Sequence, residues 1–125
     1  AAEQAAGDDP AGAQIALEAI AVDGSLPEIY RQIASFKSAT KSGGSLSLDD
    51  RRLRLDALSA PGMSLRLLAT EQLAMLDIEA GDTAAALEKL QGIVVDAEVT
   101  AGLRQRATQL IVALGAEPDV LSGQN

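Results

Sequence analysis

The chain has 125 residues, 47% of them hydrophobic but only 2% aromatic, and its ten basic and eighteen acidic side chains leave a net charge of −8. That acidic balance repels phosphate backbones and anionic lipid, which argues against nucleic-acid binding. The absence of His and Cys removes the usual neutral-pH acid–base, the thiol nucleophile and the standard zinc and copper ligands, so neither catalysis nor a metal or cofactor is expected.

A core of Leu, Ile, Val and Ala predicts an all-α fold, because strands favour aromatic and β-branched side chains. Residues 1–12 read either as the stub of a first helix or as a flexible tail. The chain opens on Ala1 rather than Met, from which a processed or trimmed product is expected. No apolar run is long enough to span a membrane. A helix is predicted from Ala11 to Val22, with Ile15, Ala19 and Val22 on one face and Asp23-Gly24 ending it. Ser25 to Glu28 has the form of a capping box with Pro27 in the first turn, opening a helix that runs to Ser42. Gly43-Gly44 then breaks the chain.

Ser47-Leu-Asp-Asp50 reads as the capped start of a short helix to Leu58, and Ala60-Pro61-Gly62 is a second break. Further helices are predicted over Met63–Ala80, Thr83–Ala97 and Val99–Leu114, followed by a flexible tail over 116–125. The helix ending at Ala80 is apolar on two sides. Leu65, Ala69, Leu73, Leu76 and Ala80 share one arc of about 80°, and Leu67, Leu68, Ala74, Met75 and Ile78 lie roughly opposite. The last helix is apolar on one side only, through Val99, Leu103, Ala107, Leu110 and Leu114, as a helix closing an array against water should be.

Glycines 7, 44 and 81 recur at intervals of 37 residues, and Gly115 follows 34 later. The breaks define three antiparallel hairpins, 13–42, 47–80 and 83–114, within one helical domain over 13–115. Equal spacing favours a stacked array over a closed bundle.

Leu73, Ala74, Gly81, Ala86 and Leu90 have a spacing that resembles the tetratricopeptide repeat, which implies a short right-handed solenoid of stacked hairpins. Residues 19–31, 60–69, 79–87 and 102–107 go further. Their wording resembles the periplasmic tetratricopeptide-like domain of the ancillary Sec-translocon subunit family in its alphaproteobacterial form, over residues 11–115. Members of that family carry a short cytoplasmic segment, one transmembrane helix and then this domain. The resemblance implies a non-catalytic periplasmic adaptor, tethered to the inner membrane through an anchor outside these residues, that meets translocon components, chaperones or emerging clients. Asp77 stands where the repeat usually has an aromatic, and Glu98 where a Pro is common.

If the familiar concave positions hold, a protein or peptide partner meets Arg31, Ala34, Ser38 and Lys41, then Leu68, Glu71, Met75 and Ile78, then Gln105, Gln109 and Val112. Exposed Met and Ile suit an apolar segment, whereas Met75 and Ile78 also fit an ordinary core. Arg51, Arg52 and Arg54 form a basic island, read as a solvated face paired with Asp49, Asp50 and Asp56. Arg31, Arg66 and Arg104 occupy matching places near helix starts, either as a basic row or each reaching a neighbouring acid. The carboxylate pairs Asp8-Asp9, Asp49-Asp50 and Asp77/Glu79 sit at predicted helix ends; the dipole favours the first two there. A second use of the surface is self-association into a homodimer through Ile15, Ala19 and Val22.

Overall fold

A computed structural model describes residues 10–40 and 46–118. Among the described residues there are six helices and no strand. The all-α expectation holds. The chain forms two compact units, Ala1–Leu65 and Arg66–Asn125. The glycine break at 43–44, Lys41, and residues 1–9 and 119–125 fall outside the described residues.

The first unit contains α1 (Pro10–Ala21), α2 (Glu28–Thr40) and α3 (Leu48–Leu58). α2 packs against both α1 and α3. Its Ala34 and Ala39 are buried, as are Leu55 and Leu58 of α3. The expected cap of α3 is present: the Ser47 hydroxyl accepts the Asp50 amide at 3.1 Å, satisfying one of the free N–H groups at the helix start. Asp49 and Asp50 occupy that first turn, where the helix dipole favours negative charge.

The capping box expected at Ser25–Glu28 is not formed. Ser25 instead donates its amide and its hydroxyl to Asp23 Oδ1, at 2.9 and 2.6 Å. The Asp23 side chain therefore organises the turn after α1 as an Asx-type loop. α2 begins behind Pro27, whose carbonyl accepts the Tyr30 and Arg31 amides.

The second unit contains α4 (Arg66–Glu79), α5 (Thr83–Val95) and α6 (Ala101–Ala113). α4 starts three residues later than Met63. Gly62 takes φ 88° and the Met63 amide closes a turn onto the Ala60 carbonyl at 3.1 Å, which keeps Met63 out of the helix. α5 stops at Val95 rather than Ala97. Asp96 is extended there, and its carboxylate accepts the Glu98 amide at 2.8 Å. α6 begins after Thr100, whose hydroxyl accepts the Leu103 amide at 3.2 Å.

The Gly81-Asp82 turn closes one helix and opens the next. Gly81 lies at φ 83°; its amide reaches Ile78 O at 3.0 Å and the Asp82 amide reaches Asp77 O at 2.8 Å. Those two bonds are a Schellman closure. Asp82 Oδ1 then accepts the Ala85 amide at 3.0 Å. Gly115, at φ 91°, repeats the closure with Gly115 N to Val112 O at 2.9 Å and Ala116 N to Ile111 O at 3.1 Å. The core of this unit gathers Ala74, Ala86, Leu90, Ile93, Val94, Leu103, Ala107 and Ile111, with Leu67, Leu68, Ile78 and Leu110 among the residues packed on it.

A Cβ at Gly81 would meet no atom within 4 Å, so substitution there acts through the backbone alone. Gly81→Ala is expected to lower unfolding free energy by about 1–2 kcal/mol. Gly92, mid-helix, exposed and equally unobstructed, gives the opposite sign: Gly92→Ala should add about 0.5–1 kcal/mol. Urea titration of the two variants checks both signs, and equal effects would contradict the assigned conformations.

Candidate docking groove

The first unit is held by a polar network inside an otherwise apolar contact. α1 carries two polar side chains, Gln14 and Glu18, and both face the neighbouring helices. Gln14 Nε2 donates to the buried Ser38 hydroxyl, which donates to Glu18 Oε1 at 2.8 Å. Arg54 pairs with Glu18 Oε2 and brings a second N–H to 3.4 Å from Ser38 Oγ. Buried polar groups need such partners, and a connected set fixes one arrangement of its elements. α1, α2 and α3 are joined at a single point. Arg54 thus leaves the basic island to reach an acid on α1, 36 residues away, rather than Asp49, Asp50 or Asp56. Sequence nearness misled there, because the helix turns Arg54 inward.

Beside this network runs an open groove of about 410 Å³, lined by Glu18, Ala21 and Val22, by Ser35, and by Leu53, Arg54, Ala57 and Leu58. A second hollow of about 260 Å³ shares Ala21, Ser35 and Leu58 and extends to Glu28, Arg31, Gln32 and Met63. The lining mixes small and apolar side chains with the charged Glu18, Arg54, Glu28 and Arg31. Val22 and Leu53 stand on the walls at 80% and 68% exposure. Two large apolar side chains in water beside a hollow make a surface that can accept an apolar group. Arg31 donates Nε to the Leu26 carbonyl at 3.3 Å, and Gln32 donates Nε2 to Glu28 at 2.6 Å.

Of the positions singled out in the first hairpin, Arg31 lines the second hollow. Ala34 and Ser38 are buried, Ser38 beneath the Glu18–Arg54 pair, and Lys41 lies outside the described residues. In the second unit Glu71 is buried, with both oxygens taken by Arg106 at 3.0 Å, which ties α4 to α6. That pairing holds the Arg106 guanidinium proton more firmly than usual. Leu68 and Ile78 pack on the core, whereas Met75, Gln105, Gln109 and Val112 are exposed. Arg66 reaches acids, as one of its two readings had it: Asp96 at 2.9 and 3.1 Å and Glu98 at 2.8 Å. Arg104 is exposed.

Sequence reasoning passed over Glu18 and Leu53, placed Val22 only on a self-association face and read Arg54 as part of a solvated basic island. The available signal was Gln14 and Glu18, a turn apart in a helix of Ala, Ile and Leu, where polar side chains on one stripe demand a partner. Among the described residues no group of acids is arranged to hold a metal ion, and no helix is long and apolar enough to cross a membrane.

The ion pairs set an acid limit. The Arg54 hydrogen bond lowers the Glu18 pKa below its ordinary 4.5, and Arg66 lowers that of Asp96 below 3.8. A depressed carboxylate in the folded state contributes stability that is complete above its unfolded pKa and lost as pH falls through the folded one. The melting temperature should therefore be flat near neutrality and fall below about pH 4.5. Glu18→Gln should lower the neutral value and shrink the acid drop. An unchanged pH profile in that variant would contradict the pairing.

Comparison with protein-family models, with curated proteins and with solved structures finds no match to this chain.

Proposed function

We propose that the chain is a non-catalytic protein-interaction module that takes an apolar segment of a partner protein into the groove of its first unit. The observation that carries this reading is the pair of exposed apolar side chains, Val22 and Leu53, lining one groove with Ala21, Ala57 and Leu58. Burying a few such anchors supplies affinity, while Arg31, Glu28 and the Glu18–Arg54 pair tune rate and selectivity.

The finer architecture belongs to the same proposal: a tetratricopeptide-like, right-handed stack of hairpins. It is supported by the roles of the signature residues. Leu73, Ala74, Ala86 and Leu90 are buried, and Gly81 is left-handed. The cellular setting comes from the family resemblance: a periplasmic, inner-membrane-tethered adaptor working with the Sec translocon, its chaperones or its clients.

Capture from a detergent-solubilised inner-membrane extract tests the reading, with the wild-type chain beside Leu53→Asp and Val22→Asp. Specific partners should be retained by the wild type and by Arg104→Ala, and lost from both aspartate variants while their helical circular dichroism is unchanged. Equal capture by all four chains would rule out the groove. Recovery of cytosolic proteins alone would rule out the location.

A further inference from the structure

α1 is turned inside out for a surface helix. Its polar side chains, Gln14 and Glu18, face α2 and α3. Ile15 is 70% exposed, and Ala16, Ala19 and Ile20 are exposed with it, as is Val22 in the turn that follows. Amphipathic surface helices do the reverse, and a contiguous apolar face of this kind marks an interaction surface.

We propose that this face is a two-fold interface with a second copy of the chain, the two α1 helices crossing antiparallel at Ala19. Ile15, Ala19 and Val22 are spaced i, i+4, i+7, so they form one stripe. Val22 still belongs to it, because its amide bonds Glu18 O at 3.2 Å. The stripe reads bulky, small, bulky in either direction. An antiparallel crossing sets Ile15 against Val22 of the second copy and Ala19 against itself, the self-complementarity an isologous contact requires. The other occupants fit less well. The stripe has no charge with which to select a charged partner. α1 also lacks Lys and Arg, and the chain carries −8, whereas helices that lie on anionic lipid have basic flanks. Covering so short a stripe on both copies buries less than the roughly 1,200 Å² at which standard-size interfaces begin, the range of weak contacts. The dimer is therefore weak. It shares Val22 with the docking groove but not Leu53, so Leu53→Asp separates the two readings.

The chain has no cysteine, so Ala19→Cys introduces a single thiol at the crossing point. Under mild oxidation it should form a disulfide-linked dimer at least tenfold faster than Ala113→Cys, on the exposed end of α6. Ile15→Cys should link slowly to itself and quickly to Val22→Cys. In sedimentation velocity the wild type should move from monomer toward dimer with rising concentration, Leu53→Asp should behave alike, and Ile15→Glu should stay monomeric. If Ile15→Glu loses helix content, the Ala19→Cys rate decides alone. Ala19→Cys linking no faster than Ala113→Cys would overturn the proposal, as would a wild type that stays monomeric to about 1 mM, above the range of weak interfaces. Fastest self-linking by Ile15→Cys would overturn the antiparallel arrangement, and binding of a monomeric chain to phosphatidylglycerol vesicles would assign the face to lipid.

Discussion

Leu90→Ala is expected to lower the unfolding free energy by about 3–4 kcal/mol, in the upper range for a leucine whose surroundings cannot collapse. Leu90 has no exposure and sits in a cluster with Ala74, Ala86, Ile93, Val94, Leu103, Ala107 and Ile111. Several of those neighbours are alanines, which have no longer side chain to swing into the gap. The cavity therefore stays open and the lost contacts are not replaced. Denaturant melts give the magnitude, and amide exchange shows where it falls: protection should drop across α4, α5 and α6. A loss below about 1 kcal/mol would mean that the cluster repacks and is looser than described.

Lys89→Met carries the second large effect. Asp77 is 4% exposed and accepts a hydrogen bond from Lys89 Nζ at 2.6 Å, from α5 to α4. Removing the lysine leaves a carboxylate in a place that water reaches poorly. Lys89 is itself partly exposed, so losing one side of this half-buried pair costs about 1–3 kcal/mol. The double variant Asp77→Leu with Lys89→Met should recover most of that loss, because no charge is left inside. The double-mutant cycle should give a coupling above about 1 kcal/mol. Additive single effects would contradict the contact.

Much of the fold could be read from local chemistry. Ser47 and the two closing glycines in the second unit, Gly81 and Gly115, act through hydrogen bonds within a few residues, which is why the cap and the breaks were visible in the chain. The one-sided stripe of α6 was visible for a similar reason: helical period alone places Leu103 and Ala107 inward. Ser25 failed as a cap because Asp23, two residues earlier, offered a carboxylate that outcompetes the helix start.

The candidate site was harder to read. Whether Glu18 meets Arg54 depends on the packing of three helices, and nothing local to either residue reports it. Exposure of Val22 and Leu53 depends equally on what lies beside them. Periodicity identifies an apolar stripe but not whether it is covered. Glu71 shows the converse. Its position suggested a groove residue, yet Arg106 takes both of its oxygens.

Site-specific photo-crosslinking in a membrane-bearing host tests the central claim most directly, with benzophenone side chains placed at Leu53, at Val22 and at Arg104. The docking account predicts adducts of one or a few partner proteins from positions 53 and 22, identified by mass, with little from position 104. Adducts spread evenly over the three positions, or none at 53 and 22 while 104 reacts, would contradict it.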